Sequence, residues 1–225
     1  MQEKITELAR SDLAPLLNQA VLNPHLEEDI FNQICDASKH LGFGGLCTSL
    51  NRLPLARERL GKTCETKLIT VISFPFGDIP KLLKLAQAEW AIEHGAEELE
   101  VVPNFDFLNK GDTNSFGEEL FEICSLGLPV RTILDMQNLS PPNLKIAVQA
   151  SLEAGVIGFQ TGNGFGRIVT LEDIKNLVNI TGQCSQIKAV GGMHTLEKTL
   201  EVLHAGATLV GTSKGPEIMQ FLRNK

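Results

Sequence analysis

The residues best placed for chemistry lie in 154–166, which reads A-G-V-I-G-F-Q-T-G-N-G-F-G. A helical segment (142–153) runs into Ala154-Gly155. A short apolar run follows at 156–159, then the polar pair Gln160-Thr161, then a glycine-rich loop. In a parallel α/β fold, the C-terminal end of a strand is where ligands and reactive side chains gather. Gln160 and Thr161 are therefore expected to face a bound molecule. An amide donates and accepts hydrogen bonds there, but it is neither an amine nucleophile nor a base at neutral pH. Two further clusters share this position relative to a strand. Gly191-Gly192 follow the run 187–190, and Gly211-Thr212-Ser213 end the run 209–211. Adjacent glycines let backbone N–H groups approach an oxyanion, and Thr212 and Ser213 add hydroxyls. A helix starting near Pro216 presents its positive end. Each cluster alone reads as a tight turn; together, after the seventh and eighth strands, they are expected to hold a phosphate.

Those positions follow from an alternation of short apolar runs with amphipathic segments. Strand-like runs occupy 16–22, 45–49, 68–74, 99–102, 130–135, 158–161, 187–190 and 209–211. Helical patterns occupy 27–41, 53–60, 80–94, 115–126, 143–153, 171–180, 196–204 and 216–222. That is eight strand–helix cycles of about 26 residues after a short N-terminal helix, with no Pro/Ser-rich linker. Gly95, Gly155 and Gly206 follow helices where left-handed C-caps belong, and Pro80 and Thr195-Leu196 open others. The expectation is one (β/α)8 TIM barrel over residues 1–225. An open doubly wound sheet is the alternative, but Gly162, Gly164 and Gly166 lack the spacing and the following acid of a dinucleotide fingerprint.

Composition narrows the partners. The chain has 225 residues, 43% hydrophobic, and a formal charge of −7, which disfavours a nucleic-acid partner. No apolar run reaches the roughly 18 residues of a membrane span, and residues 1–10 carry no apolar signal core. Five cysteines without a C-x-x-C pair fit reduced thiols and a cytoplasmic location. Five scattered histidines leave a metal centre without a ligand set, so no metal and no cofactor are expected.

Many fragments, in one order, resemble the 2-deoxyribose-5-phosphate aldolase family along nearly the whole chain. They are V-L-N-P-H-L-E-E-D-I (21–30), V-I-S-F-P-F-G (71–77), H-G-A-E-E-L-E-V-V (94–102) and L-N-K-G-D (108–112). Residues 154–166, I-K-A-V-G-G-M-H-T (187–195) and A-G-A-T-L-V-G-T-S (205–213) complete the set. The resemblance implies a barrel, often dimeric, and a metal-free aldol reaction through a lysine imine. The family's nucleophile sits in a run like F-V-K-T-S-T-G, and here Gln160 takes the lysine's place. Its second lysine corresponds to Lys188, and the proton-shuttling Asp of strand four corresponds to Glu100. An Asp of the first strand corresponds to Asn18, and a neighbouring hydroxyl becomes Ala20. On strand five, Arg131 and Asp135 keep charges and change lengths. Glycines and apolar strand residues match while polar pocket residues differ, a sorting that fits a repurposed pocket. Lys188 is expected as a pocket cation paired with Glu100. Three functions follow: a non-catalytic binder of a phosphorylated small molecule, a lyase using Lys188 with Glu100 as acid/base, or a protein-interaction scaffold.

Overall fold

The computed structural model describes residues 10–182 and 185–222. Eight parallel strands form the centre: β1 (Leu17–Val21), β2 (Gly45–Thr48), β3 (Lys67–Ile72), β4 (Glu98–Val101), β5 (Val130–Ile133), β6 (Gly158–Gln160), β7 (Gln186–Val190) and β8 (Leu209–Thr212). They pair in sequence order, and β8 closes on β1 through Asn18↔Gly211, so the fold is a (β/α)8 barrel. The doubly wound alternative is excluded by that closure.

Period-2 alternation along each strand separates two cores. Leu46, Leu99, Val130, Phe159, Ile187 and Val210 turn outward and pack under the helices in the larger cluster. Cys47, Ile69, Val71, Val102 and Ile133 turn inward and form a smaller one. Capping fixes where helices start on the returning segments. Ser140 accepts from Asn143 N, Thr195 accepts from Lys198 N, and Thr170 with Asp173 forms a reciprocal capping box. Gly95, Gly155 and Gly206 adopt φ of 89°, 95° and 113°, as expected of left-handed helix ends.

Element ends moved more than elements did. β3 stops at Ile72 because Ser73 takes φ 57°, which turns the chain out of the sheet. The helix expected at 115–126 runs Thr113–Cys124, capped by Asp112, and a short helix at Asp106–Asn109 precedes it. Residues 1–9, where most of the expected N-terminal helix falls, and Cys184 lie outside the described residues. A helical turn at Arg10–Leu13 leads into a 3-10 turn (Ala14–Leu16) whose Ala14 O accepts from Gly44 N at the foot of β2. Among the described residues, no helix is long and apolar enough to cross a membrane.

Candidate ligand-binding site

Alternation also decides which polar side chains enter the barrel. Glu98 and Glu100 on β4, Arg131 on β5, Gln160 on β6, and Gln186 and Lys188 on β7 share the inward face. They make the polar half of the lumen, facing the apolar half made by Cys47, Ile69, Val71, Val102 and Ile133. Arg131, wholly buried, reaches Glu98 at 2.8 Å and Gln186 at 2.8 Å, and its Nε lies 3.8 Å from Glu100. Nearer the mouth, Lys188 Nζ meets Glu100 Oε1 at 2.5 Å, with 2% and 1% of these residues exposed. Two acids against two bases leave this half of the lumen electrically balanced, the condition under which ionised groups tolerate burial.

Inward glycines make the space for these long side chains. A Cβ at Gly211 would sit 2.8 Å from Lys188 Cε, and one at Gly158 would sit 2.9 Å from Arg131 Nη1 and 2.3 Å from Gln186 O. A thiol completes the cluster, since Cys47 Sγ donates to Glu100 Oε2 at 3.3 Å. Burial, then the charge of Glu100, push that thiol well above its usual 9.0 against the opposing effect of Lys188, so it stays protonated.

Above this cluster, at the C-terminal ends of the strands, lies a cavity of about 340 Å³. Its floor is Glu100, Lys188 and Gln160. Leu22, Val71, Phe74, Phe165 and Met193 give it an apolar wall, and Gly191, Gly192, His194, Gly211, Thr212 and Ser213 line the side under β7 and β8. Two loops meet across the mouth: Asn163 Nδ2 donates to Pro75 O at 3.0 Å, and the Phe74 and Phe165 rings lie 5.7 Å apart. Gln160 donates from Nε2 to Gly162 O at 2.7 Å, while its Oε1 has no partner.

Eight of the ten residues singled out in the sequence come together at this cavity: Lys188, Glu100, Gln160, Gly191, Gly192, Gly211, Thr212 and Ser213. Asn18 and Thr161 do not, and both expectations need correcting. Asn18 faces the lumen two residues before the cavity-lining Ala20, below the floor, with its Nδ2 where a Cβ at Gly45 would crowd it (2.9 Å). Thr161 is one residue past Gln160, so its side chain points to the opposite face. Its hydroxyl donates to Val190 O and accepts from Val190 N, both at 3.0 Å, stitching β6 to β7. The helix expected to aim its positive end at an anion is also differently engaged. It runs Gly215–Phe221, and Gly215 N donates to Gln19 Oε1 at 3.0 Å, while Lys214 N donates to Thr212 Oγ1 at 2.9 Å. On this side of the cavity the glycine pair at 191–192, His194 and the exposed Ser213 line the wall. Gly191 and Gly192, at φ 117° and 78°, also let the loop after β6 pack close; a Cβ at Gly192 would sit 2.7 Å from Ile168.

Arg167 is committed to Asp173 in a two-pronged pair at 2.6 and 2.7 Å and does not line the cavity. Cys47, Asn163 and His194 were not anticipated as lining residues. For Cys47 the signal was present, because it lies two residues after the inward Gly45. Among the described residues, no cluster of His, Cys, Asp or Glu could hold a metal ion.

Comparison with known proteins agrees with this architecture. No family model matches the chain. A deoxyribose-phosphate aldolase from Trichormus variabilis is 35% identical over 210 residues, covering 92% of this chain and 92% of that protein. Among solved structures, an aldolase called QR15 superposes with a TM-score of 0.89 at 30% identity, over 95% of this chain and 97% of its own. A tetrameric deoxyribose phosphate aldolase from Aeropyrum pernix shares the fold at a TM-score of 0.86 and 24% identity, over 99% of this chain and 96% of its own.

Proposed function

The chain belongs to the deoxyribose-phosphate aldolase family, and from that premise we propose that it binds a sugar phosphate at the barrel mouth without forming a lysine imine on β6. One observation carries the reading. The end of β6 offers the cavity an amide, Gln160, and among the described residues the only amine lining the cavity is Lys188, fastened to Glu100 at 2.5 Å. Imine formation needs an amine lone pair to attack a carbonyl carbon. An amide has none to give, and the Lys188 amine is engaged with Glu100 rather than free at the end of β6. The phosphate goes to the side of the cavity under β7 and β8, where Gly191, Gly192 and Ser213 lie. The carbon chain then runs down the apolar wall to the floor.

Incubation with 2-deoxyribose 5-phosphate or acetaldehyde, borohydride reduction and intact-mass measurement test the covalent half of this reading. The expected result is an unchanged mass. Thermal shift tests the binding half: a ligand at 100 times its Kd adds about 2.7 kcal/mol of apparent stability. Ser213→Asp is expected to weaken that binding, because a carboxylate repels the phosphate. No shift with any sugar phosphate would favour a scaffold role instead. The Lys188–Glu100 contact itself favours a second reading, a lyase in which Lys188 forms the imine and Glu100 moves the proton. A trapped adduct that disappears in Lys188→Met would establish it and remove the first. A homodimer belongs to the same proposal, and a monomeric mass in solution would count against it.

A further inference from the structure

Gln160 has one hydrogen-bonding atom to spare. Its Nε2 partner, Gly162 O, is a carbonyl and accepts only, so the nitrogen must face it and the oxygen must face away. That oxygen, Oε1, has no partner, in a side chain 4% exposed that lines the cavity floor beside Lys188 and Glu100. None of the neighbouring donors bonds to it: Lys188 Nζ and the Cys47 thiol donate to Glu100, and Arg131 Nε and Nη2 donate to Glu98. Arg131 Nη1, also unpartnered, lies beside Gly158, a layer further down. Leaving a buried acceptor without a donor is costly, and a methionine of similar length would avoid the cost. The acceptor is therefore available to a donor that arrives with a ligand.

We propose that Gln160 Oε1 accepts a hydrogen bond from a hydroxyl at the end of the ligand remote from its phosphate. The site then selects a phosphate ester that ends in an alcohol over one that ends in a methyl group or a bare carbonyl. This rests on the reading of the cavity as a phosphate-ester site. It makes position 160, through which an imine-forming lysine would hold a carbonyl carbon, into a reader of the hydroxylated form of the same kind of compound. A donor missing from the ligand leaves the acceptor buried and unmet, which is how polar sites reject analogues lacking a hydroxyl.

Two alditol phosphates separate the possibilities, because neither closes into a ring or forms an imine. They are 2-deoxyribitol 5-phosphate and its 1-deoxy analogue, which differ only in the terminal hydroxyl. Calorimetric titration of the native protein is expected to show the first binding about tenfold tighter or more. In Gln160→Met, shown to be folded by its thermal transition, the preference is expected to vanish. Equal affinities in the native protein would overturn the inference and leave phosphate binding standing. So would a preference that survives in Gln160→Met, since another group would then be reading the hydroxyl. Failure of both alditols and of every sugar phosphate would remove the underlying reading as well. Should Gln160→Met not fold, Gln160→Leu takes its place with the same expected loss of preference.

Discussion

Replacing Glu100 by Gln tests the electrostatics on which the cavity floor depends. The substitution keeps side-chain length and an acceptor for Cys47 Sγ, but removes the charge facing Lys188 Nζ at 2.5 Å. Arg131 keeps Glu98 at 2.8 Å, so Lys188 is the group left unbalanced. With only 2% of Lys188 exposed, water at the cavity floor makes up little of the loss. Stripping one member from a buried pair costs about 3–5 kcal/mol. In a chain of this size each kcal/mol moves Tm by about 2–4 °C, so a fall of about 6–20 °C is expected. Adding Lys188→Met removes the stranded charge and should recover most of the loss, because a neutral floor needs no counter-ion. The exposed pair Lys214–Glu217, at 2.9 Å and with both side chains half exposed, supplies the control: Glu217→Gln should be close to neutral. Thermal and urea denaturation of both single variants, the double variant and the control read all of this. Glu100→Gln within about 1 kcal/mol of the native protein, or a double variant as unstable as the sum of its singles, would refute the reasoning.

Two inward glycines should differ in their tolerance of alanine. Gly158→Ala places a Cβ 2.3 Å from the Gln186 carbonyl, which is backbone, whereas Gly211→Ala meets only the Val190 and Lys188 side chains at 2.7 and 2.8 Å. The first should cost more in urea denaturation than the second, itself about 1–3 kcal/mol, and the reverse order would contradict the packing. The Asp173 carboxyl is raised by burial, but the hydrogen bonds from Arg167 and Thr170 outweigh this and bring it from 3.8 to about 2. Its contribution to stability is therefore complete above pH 3.8 and lost as pH falls toward about 2. Asp173→Asn should flatten that limb of an acid-denaturation curve. Cys47, buried and held protonated beside Glu100, should resist iodoacetamide in the folded protein, and mass mapping should find it alkylated only after denaturation.

The barrel was legible because its determinants are local. Runs of Val, Ile and Leu, the interleaved amphipathic segments and glycines at helix ends each act within a few residues, and all eight strands lie where those patterns put them. The misplacement of Thr161 was also avoidable, since one step along a strand from the inward Gln160 reverses the face. The composition of the site is another matter. Lys188 and Glu100 are 88 residues apart, and Cys47 and Glu100 are 53 apart. Family resemblance nominated the first pair, but nothing local ties Cys47 to Glu100 or Gln186 to Arg131. Barrel closure, with its fixed tilt and register, decides which inward residues share a layer. It puts Asn18 beneath the floor, directs Gln19 to the foot of the last helix, and brings the polar side chains of β4 to β7 into one balanced cluster. Sequence set which faces turn inward; only the closed sheet set the height at which each side chain stands, and so which charges meet.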